Sequence, residues 1–186
     1  MCNLMTKTIL TILTILTLGF TLPKRETIYL GQVNINADDK LTYTGLYITF
    51  QVDTLVIAQS NVKKDGSFKI SVTTDRDFDV YYRHLAGEDC YLKTIKPTDK
   101  DRVKLNFVFP NIYEKENNEV ICPKCIKHDQ TIPILYLSQF ERKLFEVSDS
   151  SGNKAVVPYN ETNYYAGCTF SSYDPKYFCK RDKIKF

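Results

Sequence analysis

The chain has no tryptophan, only two methionines, and just seven glycines and seven prolines among 186 residues. That scarcity excludes collagen-like repeats and Pro/Gly-rich low-complexity chains. No sign of charge dominates either: 25 Lys and Arg stand against 22 Asp and Glu, a formal +3. A nucleic-acid binder shows a concentrated basic stripe, so no nucleic-acid partner is expected. There are only two histidines, His84 and His128, and no G-x-S-x-G, H-E-x-x-H or P-loop pattern. Without those constellations no catalytic residue set is expected. Asp75, Asp77 and Asp79 alternate with Arg76 and Phe78, but an EF-hand loop needs Gly at its sixth position, where Val80 stands. Alternation instead puts the three aspartates on a solvent face with Phe78 and Val80 inward.

What is present is ample core material: 43% hydrophobic residues, with thirteen Tyr and eleven Phe. The run from Ile9 to Leu22 is apolar or Thr throughout, preceded by Lys7 and followed by Pro23, Lys24 and Arg25. It falls short of the roughly twenty residues of a membrane span and suits the apolar core of a secretory signal. Residues 1–22 are therefore expected to be a signal peptide or an uncleaved N-terminal anchor, the only expected membrane contact. The body is expected outside the cytoplasm: periplasmic, on the outer surface, or secreted. Beyond that segment lie Cys90, Cys122, Cys125, Cys168 and Cys179. An odd number in an exported chain means one thiol is free, intermolecular or bound.

From Thr27 to Pro110 strand-like runs recur about every ten residues. Thr27–Leu30 leads into a turn marked by Gly31, followed by Gln32–Ile35. Leu46–Phe50 and Thr54–Ala58 are β-branched and aromatic, and Asp65-Gly66 precedes the alternating Ser67–Val72. Phe78, Val80 and Tyr82 share a face, and Val103–Phe109 alternates again. The pattern predicts an all-β fold, an antiparallel β-sandwich of transthyretin or immunoglobulin type over 27–113. Glu114–Glu119 reads as a linker. Residues 120–186 read as a small Cys-rich β module, too short to bury much alone. The basic end Lys180–Phe186 reads as a last edge strand. Tyr164, Tyr165, Tyr173 and Tyr177 crowd the tail, and His84 sits at a strand end as ordinary surface structure.

Two resemblances follow from these residues. The stretch Gly31–Pro110, with Gly31-Gln32-Val33, the run Asn61–Val72 containing Asp65-Gly66-x-Phe68, and the closing Val103–Phe109, resembles the carboxypeptidase regulatory-like domain. The family's Gly-Ala-x-Val start to the second strand is replaced by Tyr43-Thr44-Gly45-Leu46. The resemblance implies an ancillary module for folding, adhesion or binding. The tail, with Cys122-Pro123-Lys124-Cys125, His128 and Cys179-Lys180-Arg181-Asp182, resembles a zinc-ribbon-like module of small exported bacterial proteins. A ribbon carries two C-x-x-C turns because that spacing presents two thiolates at tetrahedral geometry; here the fourth sulfur is replaced by Asp182.

Three chemistries remain open for the cysteines. In the first, Cys122, Cys125, Cys179 and Asp182 hold one structural zinc, with Cys168 or His128 as the alternative fourth ligand. In the second, an oxidising compartment pairs Cys122 or Cys125 with Cys168 or Cys179. In the third, Cys122 and Cys125 cycle as a redox dithiol, although the extended-looking Ile132–Tyr136 that follows offers no helix to stabilise a thiolate. The expectation is an exported, non-catalytic structural or binding protein of the cell envelope, serving an unidentified protein or glycan partner. Its alternative is a thiol–disulfide redox protein.

Overall fold

The structure is a computed structural model that describes residues 26–35, 42–85, 87–109, 113–137, 144–148, 152, 154–166 and 173–186. The N-terminal run and Cys168 lie outside the described residues. Among the described residues the regular elements are all strands, and no helix is long and apolar enough to cross a membrane. The all-β expectation holds.

Seven strands form the first part: β1 (Thr27–Ile35), β2 (Leu46–Val52), β3 (Leu55–Asn61), β4 (Ser67–Val72), β5 (Phe78–His84), β6 (Cys90–Ile95) and β7 (Arg102–Phe109). They make a three-stranded sheet in the order β4-β1-β7 and a four-stranded sheet in the order β3-β2-β5-β6. Alternation sorts the side chains. Tyr29, Phe68, Ile70, Leu105 and Phe107 of the first sheet join Leu46, Ile48, Phe50, Phe78, Val80 and Tyr82 of the second in one apolar cluster. Its centre is aromatic: the Tyr29 ring meets Phe50 at 5.3 Å and Phe78 at 5.5 Å edge to face, and Phe50 stacks on Phe78 at 5.0 Å. Each such buried side chain contributes about 1.5–3 kcal/mol of transfer free energy.

Several local readings are corrected. β1 runs unbroken through Gly31 and pairs with β4 on one side and β7 on the other. Gly31 marks a close approach, because a Cβ there would fall 1.9 Å from the Phe68 ring. The β1–β7 pairing is parallel, as is a later one, so the all-β fold is not purely antiparallel. β6 has no clean alternation in sequence and escaped the periodicity reading. Its pairing with β5 shifts register between Val80 and Tyr81, which breaks the period of two.

The second part holds β8 (Lys115–Glu116), β9 (Glu119–Val120), β10 (Thr131–Tyr136), β11 (Phe145–Ser148), β12 (Lys154–Val157), β13 (Tyr164–Ala166), β14 (Tyr177–Cys179) and β15 (Ile184–Lys185). The segment Glu114–Glu119, read as a linker, is a tight hairpin: β8 pairs with β9 across Asn117 and Asn118, at φ 51° and 67°. Two left-handed residues at a two-residue turn are what a hairpin demands, and Asn adopts that conformation readily. A four-stranded sheet follows in the order β13-β10-β14-β15, with β15 at its edge. The tail tyrosines pack rather than form an open platform. Tyr173 is buried against Phe109 and stacks on His84 at 4.2 Å, and Tyr164 packs on Phe178 at 4.5 Å. Tyr173 also ties the tail to the first part, its hydroxyl bonding both the N–H and the C=O of Thr42 at 2.6 Å.

Candidate metal centre

Two turns build the site, and they repeat one another. In the first, Cys122-Pro123-Lys124-Cys125-Ile126, the Ile126 N–H donates to the Cys122 C=O at 2.9 Å and Ile126 has φ 56°. In the second, Cys179-Lys180-Arg181-Asp182-Lys183, the Lys183 N–H donates to the Cys179 C=O at 2.9 Å and Lys183 has φ 57°. Each turn also aims the N–H groups of its third and fourth residues at the sulfur of its first: Lys124 and Cys125 at Cys122, Arg181 and Asp182 at Cys179. β9 leads into the first turn, and β14 and β15 flank the second. The left-handed residue that closes each turn is neither Gly nor Asn, so no local sequence signal announced it.

These turns bring Cys122, Cys125, Cys179 and Asp182 together, with all four ligand atoms within 4.8 Å of one another. The Cys125 and Cys179 sulfurs are 3.8 Å apart. The Cys122 and Cys179 sulfurs lie 3.2 and 3.3 Å from Asp182 Oδ2. A tetrahedral ion with metal–sulfur bonds of about 2.3 Å and a metal–oxygen bond of about 2.0 Å requires separations of about 3.8 Å and 3.5 Å. The four residues therefore lie close enough to hold a metal ion. The Cys125–Cys179 separation is far from the 2.05 Å or so of a disulfide. Among the described residues Cys90, Cys122, Cys125 and Cys179 form no disulfide with one another.

Protons are shared unequally within the cluster. A hydrogen bond from Cys122 lowers the Cys179 thiol to about 7. The same bond, reinforced by burial, drives Cys122 far up, and burial also raises Cys125. Burial works against ionisation of Asp182, yet hydrogen bonds from Cys125, Cys122 and Cys179 hold its carboxyl below the usual range. Outside the ligands, Arg181 approaches the Cys125 sulfur at 3.9 Å and grips Asp129 at 2.8 and 3.0 Å, bridging the two turns. Partners of this kind orient ligands and offset the negative charge of thiolates.

The centre sits against the β3-β2-β5-β6 sheet. Cys122 and Cys179 are fully buried with Tyr91 of β6, Val120, Ile184 and Phe186. Lys124, lodged between two of the cysteines, makes a 2.6 Å ion pair with Asp79 of β5. Asp79 also accepts from the Thr94 hydroxyl at 2.6 Å. Asp79 points away from the apolar core as alternation requires, but it is only 8% exposed because Lys124 and Thr94 cover it. The solvent-face reading is corrected at this residue. Lys185 and Glu88 form a second ion pair across the same seam.

His128 is not in the group; its ring is bound by Glu119 and Glu116. Cys90 is wholly buried in the apolar cluster and is not one of the four. Asp75 and Asp77 form no cation site among the described residues. Sequence reasoning missed Lys124 and Arg181, whose charges sit inside the C-x-x-C and C-x-x-D spacings. The signal was there in Lys124, a cation between two ligands. No family model, curated protein or solved structure matches the chain.

Proposed function

We propose that the protein is an exported, non-catalytic structural and binding protein of the cell envelope, in which one structural zinc locks the C-terminal module onto the β-sheet body. The observation that carries this reading is the pair of equivalent turns presenting Cys122, Cys125, Cys179 and Asp182 within 4.8 Å. Thiolates favour zinc over hard cations, and a carboxylate is an accepted fourth ligand. The small apolar clusters of the tail support a structural role, since modules of this size rely on metals or disulfides. Export rests on the apolar run Ile9–Leu22, and a sandwich of carboxypeptidase regulatory-like type is the architecture proposed for 27–113. A protein or glycan is the proposed partner.

Redox cycling gains no support from the geometry. Cys122 is fully buried with its thiol held protonated, and its turn opens no helix. Cobalt(II) titration of the reduced protein tests the metal reading. Intense tetrahedral d–d bands with sulfur charge transfer, displaced by one equivalent of zinc, are expected. Weak octahedral bands would overturn it.

A further inference from the structure

We propose that the outer face of the β3-β2-β5-β6 sheet binds a neutral polyhydroxylated ligand, a sugar ring, seated over Thr49. β2 is the starting point because it is buried on both faces although only one is apolar. Leu46, Ile48, Phe50 and Val52 face the core. Tyr47, Thr49 and Gln51 face outward, yet Thr49 is 4% and Gln51 9% exposed. The Thr49 hydroxyl finds no protein hydrogen-bond partner. Among the described residues only Thr49 and Thr131 carry a buried side-chain polar atom in that condition. An orphaned buried hydroxyl lowers stability and is rarely retained without use.

Cross-strand register gathers the neighbours. Thr49 stands opposite Gln59 of β3 and Tyr81 of β5, and Tyr47 stands opposite Arg83. Tyr47, Thr49, Gln51, Gln59, Arg83 and Asp89, together with the exposed aliphatic side chains of Val56 and Leu85, surround a cavity of about 270 Å³. Gln51, Arg83 and Asp89 also line an adjoining polar cleft of about 950 Å³ that reaches the tail. Ligand sites typically occupy about 300–1,000 Å³ with a few convergent polar groups.

The chemistry of the lining selects the ligand. Arg83 is engaged by Asp89 through paired bonds of 2.7 and 2.6 Å, and Gln51 Nε2 donates to the same carboxylate at 3.4 Å. Deeper in the cleft Lys124 is matched by Asp79. At the cavity over Thr49 the two charged residues, Arg83 and Asp89, meet each other, so that cavity makes no net demand for an ionic ligand. What it offers is a hydroxyl, two carboxamides and a tyrosine, groups that donate and accept at once, as sugar hydroxyls do, beside the aliphatic Val56 and Leu85, which suit a sugar's C–H face. Tyr47 adds an aromatic ring of the kind that packs on a sugar's C–H face.

This inference deepens the binding half of the proposed function and is independent of its metal half. The test is an amide ¹H–¹⁵N titration of the full chain with the methyl glycosides of glucose, galactose, mannose and N-acetylglucosamine, with zinc content measured on the same samples. At least one glycoside should give saturable shifts at Thr49, Gln51, Gln59 and Arg83. Thr49→Val, which keeps the shape and removes the orphan, should weaken binding at least tenfold while leaving the melting temperature equal or higher. Gln59→Ala, at an exposed position, provides the same readout should Thr49→Val fold poorly. No saturable shift with any of the four glycosides, or unchanged binding in both variants, would overturn the inference. Sugar shifts in a zinc-free protein would sink the metal reading alone, and a zinc-loaded protein without shifts would sink this one alone.

Discussion

Replacing Lys124 by alanine tests whether the metal-bearing turn is clamped to the sheet. The ammonium meets Asp79 at 2.6 Å, and the Lys124 side chain is about one-third exposed while that of Asp79 is nearly buried. Breaking a fully dry ion pair costs about 3–5 kcal/mol because one charge is left stranded, whereas a wet pair is worth about 0–1 kcal/mol. This pair lies between those limits. Asp79 would keep the hydroxyls of Thr94 and Tyr81 but no cation, so Lys124→Ala should cost about 2 kcal/mol. Asp79→Ala should cost less, since the freed lysine can turn into water. A double-mutant cycle in urea, on samples of equal zinc content, should yield a coupling of about 1–2 kcal/mol. A coupling below about 0.3 kcal/mol would refute the clamp, because independent sites add to within that margin.

Three further outcomes follow from the same geometry. Asp182→Cys completes four sulfurs on two equivalent turns and should tighten zinc by about tenfold or more; weaker binding, read by chelator competition, would show that the second turn cannot present a sulfur. Phe50→Ala, at a fully buried ring between Tyr29 and Phe78, should cost about 3–5 kcal/mol in urea while leaving zinc stoichiometry unchanged, and a loss under about 1 kcal/mol would mean the aromatic centre is loosely packed. Hydrogen bonds from the Ser67 hydroxyl and N–H hold the Asp65 carboxyl below its ordinary value. Its folded value is thus lower than its unfolded one, so its stabilising effect is present above about pH 4 and fades as pH falls through the folded value. The gap between wild type and Asp65→Ala should therefore close in acid; a gap that persists at pH 2 would argue against the carboxylate's role.

Strand content and the inward faces were legible because alternation is a local signal: Phe68, Ile70 and Val72, like Phe78, Val80 and Tyr82, all reach the core. The four candidate ligands were legible because C-x-x-C and C-x-x-D spacings are themselves short-range. What escaped is non-local. Gly31 reads as a turn until the Phe68 ring is placed over it, and Asp79 reads as solvated until Lys124 arrives from forty-five residues away. The parallel β1–β7 pairing leaves no mark in either strand. Asn117-Asn118 was readable as a hairpin turn, but the charges around it spoke for a linker.

Native mass spectrometry of the full chain, with and without denaturation and paired with a thiol count, tests the central claim most directly. One zinc per chain that is lost on denaturation, with Cys122, Cys125 and Cys179 all free, is the result predicted. A metal-free mass short by two hydrogens per bridge, with those thiols blocked, would contradict it.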